Sequence, residues 1–430
     1  MANQNLSNAK TAKNDEFYTQ FYDIQKEMEA YLTYNPKVFS NKTILLPCDD
    51  PEWSNFTHFF AQNFELFGLR KLISTSYAPD SKKYKYGYQP SLFETSNPQF
   101  DARKTQTNGK IFVLERDSTG DGKIDVDDLE WHYLKGNGDF RSPEVTALRD
   151  EADIIITNPP FSLFREFLAW ITEAGKQFAV IGNMNAITYK EVFPMIKDNK
   201  IWLGATGSGR DMVFAIPEGA KVNEKDKEKA ARLGYVGNYT RLGNSCWYTN
   251  IEHGKRHQAL PLMTMADNLK FSRHKDIRER GYPSYDNYQA IEVSYTDAIP
   301  SDYQGVMGVP ISFLDKYCPD QFEIVNANDY RATKDVPLKP HGLIKDKDAT
   351  MTIFRGGNGE FVEREREKDS IRTHLHQTHC SHQELTAGTS TENELTQECS
   401  SSSYYDMVAR PTVNKTKLYR RIFIKFKPLT

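Results

Sequence analysis

Near the start of the chain, apolar side chains recur at three- and four-residue steps: Phe17, Phe21, Ile24, Met28, Tyr31 and Leu32. That spacing predicts a helix from about Glu16, ended by Asn35-Pro36 because proline disfavours helical geometry in the residue before it. The apolar run over 43–46, broken by Pro47, predicts a buried strand. A second apolar helix is expected over 55–67, closed by Gly68, and a further strand over 71–77. Strand, helix, strand is the opening of a parallel α/β sheet. Another strand is expected at 111–115, followed by a loop rich in Gly and Asp. The β-branched run over 152–157 has no polar alternation, as in a strand covered on both faces. An amphipathic helix over 161–174, stopped by Gly175, and a strand over 177–182 complete a βαβ crossover with short connections.

Beyond about 220 the pattern changes, with charges interleaved among aromatics and glycines and strands expected at 245–251 and 290–293 without long helices. The expected division is a catalytic part over 1–220, a separate and mostly irregular region over 221–330, and a C-terminal region over 331–430. Within the last, residues 356–403 are charged, rich in Ser and Thr and poor in apolar residues, so disorder is expected there. Alternation returns over 419–427 and predicts a final strand. Lys+Arg 55 against Asp+Glu 58 gives a net charge of −3, which neither advertises nor excludes a polyanionic partner, since phosphates respond to a local patch. No apolar run approaches the ~18 residues of a membrane span, and five scattered cysteines without a CxxC pair suggest a reducing compartment. A cytoplasmic protein is expected.

The most informative residues are Asn158-Pro159-Pro160-Phe161, directly after a buried strand and before a helix. Ligands of open α/β sheets bind outside the carboxyl ends of the strands. Two prolines stiffen the turn and supply no N–H, which leaves its carbonyls as acceptors. An amide oxygen, a rigid carbonyl and an aromatic ring at one spot suit a planar substrate with an exocyclic –NH2. The Asn158 oxygen and the Pro159 carbonyl can each accept one N–H and turn the nitrogen lone pair towards an electrophile, while Phe161 stacks on the ring. The plain alternative is a stiffened turn with Asn158 as a helix N-cap.

Asn158–Phe161 resembles the signature of amino-methyltransferases that act on adenine N6 in DNA. The stretches 13–20 (KNDEFYTQ), 47–56 (PCDDPEWSNF), 135–144 (KGNGDFRSPE), 157–167 (TNPPFSLFREF), 243–251 (GNSCWYTNI) and 303–317 (YQGVMGVPISFLDKY) resemble EcoRI-type adenine methyltransferases in particular. The resemblance implies a Rossmann-like α/β sheet that binds S-adenosylmethionine (SAM), an additional target-recognition region near 220–330, and double-stranded DNA as substrate. It implies SAM contacts at Phe17, Tyr18 and Thr19, and at Cys48, Asp49 and Asp50, where an acidic residue could hold the SAM ammonium group. Asp139 and Phe140 resemble the motif near the cofactor adenine. The loop after the first strand departs from the usual pattern by lacking Gly-x-Gly. The bland readings are a polar turn at 49–50 and a GxGD turn at 136–139. A monomer is expected, with a cognate restriction endonuclease as a possible companion system. The runners-up are methylation of cytosine N4, RNA adenine or a glutamine amide, and a DNA-binding module without catalysis.

An adenine amine inside a duplex is paired, so the resemblance also implies base flipping. The cations for phosphate contacts are expected at 270–280, including Arg273, Lys275 and Arg278, at 415–427, including Arg420 and Arg421, and at 254–257. Charge runs are otherwise solvated faces. Residues 117–128 resemble a calcium loop but carry Asp128 where Glu is usual, so an Asp/Gly hairpin turn is the stronger expectation. His374, His376, His379, Cys380 and His382 lack zinc-finger spacing, and no metal is expected there.

Overall fold

A computed structural model describes residues 17–49, 54–78, 95, 98–206, 212–216, 222–286, 288–327 and 421–427, together with two-residue strands at 344–345, 351–352, 354–355, 361–362, 412–413 and 416–417. The chain divides into two compact units, residues 1–258 with 314–319, and residues 259–313 with 320–430.

The first unit is built on an eight-stranded mixed sheet. Its strands are β2 (Thr43–Pro47), β3 (Lys71–Ser76), β4 (Lys110–Leu114), β5 (Glu130–Tyr133), β6 (Ile154–Thr157), β7 (Gln177–Asn183), β8 (Trp202–Leu203) and β11 (Ser245–Thr249), in the order β5-β4-β3-β2-β6-β7-β11-β8. The centre, β3-β2-β6-β7, is parallel, and the strands outside it on both flanks are antiparallel. β2 and β6 are buried along their whole length, which explains their continuous apolar sequences, Thr-Ile-Leu-Leu-Pro and Ile-Ile-Ile-Thr. Helices α1 (Phe21–Tyr34), α2 (Asn55–Gln62), α3 (Pro143–Glu151) and α4 (Phe164–Glu173) cover the sheet. The apolar stripe Ile24, Met28, Tyr31 of α1 joins Phe56, Phe59 and Phe60 of α2 in one core cluster. A second, three-stranded sheet pairs β1 (Tyr18–Thr19) and β10 (Tyr239–Leu242) on either side of β9 (Met212–Ala215). Helix α5 (Glu224–Arg232) lies in the connection between β9 and β10.

Three sequence expectations change. The first helix begins at Phe21, because Tyr18–Thr19 is drawn into an extended pairing with Phe214 and Ala215. The helix over 55–67 breaks at Asn63, whose side chain donates to the Phe59 carbonyl (2.8 Å), although Gly68 closes it in the left-handed region as expected (φ 63°). The strand at 245–249 is not part of a separate region after 220. It pairs with β7 inside the large sheet, so the first unit runs on to residue 258.

The second unit contains a four-stranded sheet ordered β12 (Ile291–Glu292), β13 (Met307–Pro310), the C-terminal strand Arg421–Phe426, and β14 (Phe322–Ala327). Its apolar centre gathers Tyr285, Tyr288, Val306, Val325 and Phe423. Two short helices, α6 (Met265–Phe271) and α7 (Lys275–Arg280), carry the basic segment. The expected last strand is present within the described residues 421–427. The expected disordered stretch and the His/Cys cluster at 374–382 lie outside the described residues. Among the described residues, no helix is long and apolar enough to cross a membrane, and no group of His, Cys, Asp and Glu is arranged to hold a metal.

Candidate active site

β2 pairs in parallel with β3 on one side and β6 on the other, so the chain reverses its direction of travel across the sheet at β2. The loops leaving the carboxyl ends of β2 and β6 are therefore neighbours, and such a switch point is where a crevice opens in this kind of sheet. The first loop starts at Cys48, half-buried and held at φ 78°, a left-handed conformation that is strained for a residue with a Cβ. Asp49 follows, 5 % exposed. Its Oδ1 accepts from the Ser54 hydroxyl (2.7 Å) and its Oδ2 from the Thr157 hydroxyl (2.5 Å), so the last residue of β6 and the cap of α2 both hold this carboxylate. The Asp49 N–H donates to the Thr75 carbonyl (2.9 Å) and its carbonyl accepts from Ser74, tying the loop to β3 as well. Asp50 lies outside the described residues.

The second loop is Asn158-Pro159-Pro160-Phe161. Asn158 is not a helix cap: residues Phe161–Leu163 form a 3-10 turn, and α4 starts only at Phe164. The Asn158 Nδ2 instead donates to the Phe17 carbonyl (2.6 Å). A carbonyl can only accept, so this bond fixes which end of the amide faces Phe17 and leaves Oδ1 as the acceptor at the other end. Oδ1 is buried and has no hydrogen-bond partner among the described residues. A buried acceptor left unpaired is costly, so any donor that reaches Oδ1 would be bound favourably.

Three rings surround this turn. Phe17 meets Phe161 edge-on (centroids 5.7 Å apart), and Phe214 of β9 meets both (6.1 and 6.4 Å). The N-terminal residues are thus brought to the turn by their pairing with β9, and Asn55 of α2 fastens them further by donating to the Thr19 carbonyl (2.8 Å). The hydroxyls of Thr19 and of Thr75, at the end of β3, are buried without a partner among the described residues. With the buried Asp49 carboxylate they gather polar groups beside the carboxyl ends of β2 and β3, and the chemistry of these residues fits a cationic, polar cofactor. Asp139 reaches the same edge of the sheet because its loop packs on Ser76, at the end of β3: a Cβ on Gly138 (φ 82°) would stand 2.2 Å from the Ser76 carbonyl. The Asp139 carboxylate, however, faces Arg141 (2.7 and 2.9 Å), whose donation holds it below the ordinary carboxylate range. Phe140 is buried against Phe167 and Trp170 and belongs to the core.

The match to known proteins can now be set beside this geometry. The family model of the adenine-specific methyltransferase EcoRI matches residues 5–427. The chain belongs to this methyltransferase family. It is 41% identical over 324 residues to the Type II methyltransferase M.EcoRI of Escherichia coli, covering 75% of this chain and 89% of that protein. It is 32% identical over 354 residues to the Type II methyltransferase M.MpnI of Mycoplasma pneumoniae, covering 82% and 94%. No solved structure matches it significantly.

In this methyltransferase the basic residues expected at DNA divide into two kinds. Arg273 and Lys275 are exposed and make surface pairs, with Asp297 (2.9 Å) and Glu279 (3.4 Å), that exchange readily with other anions. Arg278 is exposed but donates to the Ser272 carbonyl between α6 and α7. Arg421 is a correction: its side chain is nearly buried and grips Glu292 with two nitrogens (2.7 and 2.9 Å), which takes it away from any phosphate. Arg420 lies outside the described residues. The calcium-like loop is a self-satisfied turn. The N–H groups of Asp125, Thr119 and Ser118 donate to the Asp128 carboxylate and hold its pKa at about 2. Sequence reasoning missed Thr157, although it adjoins Asn158, and missed Phe214, whose role depends on a pairing nearly two hundred residues away that leaves no local mark.

Proposed function

We propose that this member of the family methylates the N6 amine of adenine at specific sites in double-stranded DNA, with SAM as the methyl donor. The observation that carries the reading is the buried, unpartnered Asn158 Oδ1, fixed in direction by the Phe17 carbonyl and set beside Phe161. A flipped adenine seated there would donate one N–H to Asn158 Oδ1 and the other to the Pro159 carbonyl, and its ring would stack on Phe161. Two acceptors on one amine pull its hydrogens into a fixed plane and expose the nitrogen lone pair, and no general base is needed before attack.

SAM, when bound, supplies a methyl group made electrophilic by a cationic sulfur. Asp49 would hold its ammonium end, with Phe17, Tyr18, Thr19, Cys48 and Thr75 lining the place. Arg273 and Lys275 would contribute phosphate contacts from the second unit. The test is incubation of the full chain with labelled SAM and duplex DNA, digestion to nucleosides and identification of the product. N6-methyladenine is expected. Asn158→Ala is expected to cut the methylation rate by about 10²-fold or more while SAM still binds, as for loss of one preorganised polar group at a reacting centre. Unchanged transfer in the variant, or label on cytosine, would overturn the reading.

A further inference from the structure

The connection between β9 and β10 leaves the sheet two residues after Phe214, which touches Phe161. The hairpin extends one step past the strands, where the Ile216 N–H donates to the Asn238 carbonyl (2.9 Å). Residues 233–237 stand at the end of this extension. Val236 is 78% exposed and Leu233 50% exposed, two large apolar side chains in one five-residue turn. The turn is built, not loose. Gly234 (φ 95°) and Gly237 (φ 105°) bracket it in conformations that side chains rarely adopt. The Gly234 and Tyr235 N–H groups donate to the Ala231 and Ala230 carbonyls at the end of α5 (3.0 Å each), and the Tyr235 ring packs on Tyr239 (5.4 Å). Two large apolar side chains are thus held in water on one structured turn.

The sheet register places this turn relative to the Asn158 loop. Tyr239, Ala215 and Tyr18 lie in one row, beside Phe17, whose carbonyl holds Asn158. Strand neighbours are about 4.8 Å apart, so the turn rises from the same rim that borders the catalytic asparagine. Exposed Arg232 adjoins it, a cation suited to a phosphate. A base taken out of a duplex leaves a gap in the stack, and an apolar side chain can enter a duplex between bases, as the wedges of proteins that unstack base steps do.

We propose that Leu233 and Val236 enter the duplex beside the extruded adenine and fill the space it leaves, acting as positioning residues for the reaction. The inference rests on the adenine-methylation reading above. The test uses the full chain with Leu233 and Val236 both replaced by alanine, and a duplex whose methylated adenine has been mapped with the parent protein. Both side chains are exposed, so the melting temperature should match the parent's. Methylation of the paired duplex should fall about tenfold or more, and 2-aminopurine at the target position should brighten less on binding. A duplex with the target adenine mismatched, and so already half-released, should restore most of the rate. That rescue separates holding the gap from a structural role.

An equal loss on paired and mismatched duplexes, or no loss on either, would overturn the wedge. So would a parent dimer that the double variant dissolves without change in methylation, which would make the turn a contact between copies. A parent protein that methylates no adenine in any duplex would bring down the reading beneath it, and the wedge with it.

Discussion

Glu27 sits on α1 with no exposure to water, and its carboxyl group is the meeting point of four donors. The Tyr31 hydroxyl (2.7 Å) comes from the next turn of the helix, and the Ala205 N–H (2.8 Å), Thr206 N–H (2.8 Å) and Thr206 hydroxyl (2.5 Å) come from the turn after β8. Gly204 lets the two approach, since a Cβ there would stand 2.2 Å from the Glu27 oxygen. A polar residue on the apolar face of an amphipathic helix is therefore a nail through α1 into a loop far along the chain. Glu27→Ala is expected to lower unfolding free energy by about 3–5 kcal/mol, because it strands buried donors in addition to leaving a cavity. Glu27→Gln, which keeps the volume but turns an amide N–H towards other donors, should cost about half as much. Urea unfolding of the two variants checks the order. Equal and small losses would mean that water reaches the turn.

At the scale of elements, the loop over 136–140 is tied down by backbone bonds from Ala78 to Asn137 (2.8 Å) and from Gly109 to Gly136 (2.9 Å), and its close approach to β3 depends on glycine. Gly138 combines φ 82° with a backbone approach to Ser76, so Gly138→Ala adds both conformational strain and a clash with a carbonyl that cannot rotate aside. A loss of about 2–4 kcal/mol is expected, with SAM affinity falling in parallel if Asp139 must reach the edge of the sheet. Calorimetric titration and thermal melting check the pair. What could be read from the sequence follows the range of the forces involved. The β6–α4–β7 unit and the Asn158 turn were legible because an apolar run, a stiff turn and an amphipathic period are local. The extended start at Tyr18–Thr19 was not, because those residues have a helical neighbourhood and are overruled by β9. Arg421 read as a surface cation for the same reason: its partner Glu292 is 129 positions earlier. The residue types of the Asn158 turn make it a candidate site from the sequence, while the bond from its side chain to the Phe17 carbonyl is visible only in the fold.

At the scale of the whole molecule, each unit keeps tyrosines in its interior. In the first, burial pushes the Tyr31 phenol up and the neighbouring Glu27 carboxyl adds to it, while burial does the same for Tyr248, whose hydroxyl donates to the Asn183 carbonyl (2.9 Å). In the second, burial and then Glu292 raise Tyr285, which shares that carboxylate with Arg421. An unfolded tyrosine loses its proton near pH 10. Each of these folded-state values lies above that, so the folded chain holds the proton more tightly than the unfolded chain does. The stabilisation is complete below about pH 10 and is lost as the pH climbs from there towards the folded values. Both units should therefore fail in alkali, and for the same reason. Phenolate absorbance from the exposed tyrosines should rise smoothly, followed by a steeper rise that coincides with loss of circular dichroism, since the buried phenols can ionise only once released. Tyr285→Phe, at a cost of about 1 kcal/mol near neutrality for the lost hydrogen bond, should flatten the alkaline slope of the second unit's stability, because one fewer proton is then held against the base. A smooth titration of every phenol with the circular dichroism intact would mean that hydroxide reaches these interiors without unfolding, and that burial does not protect them.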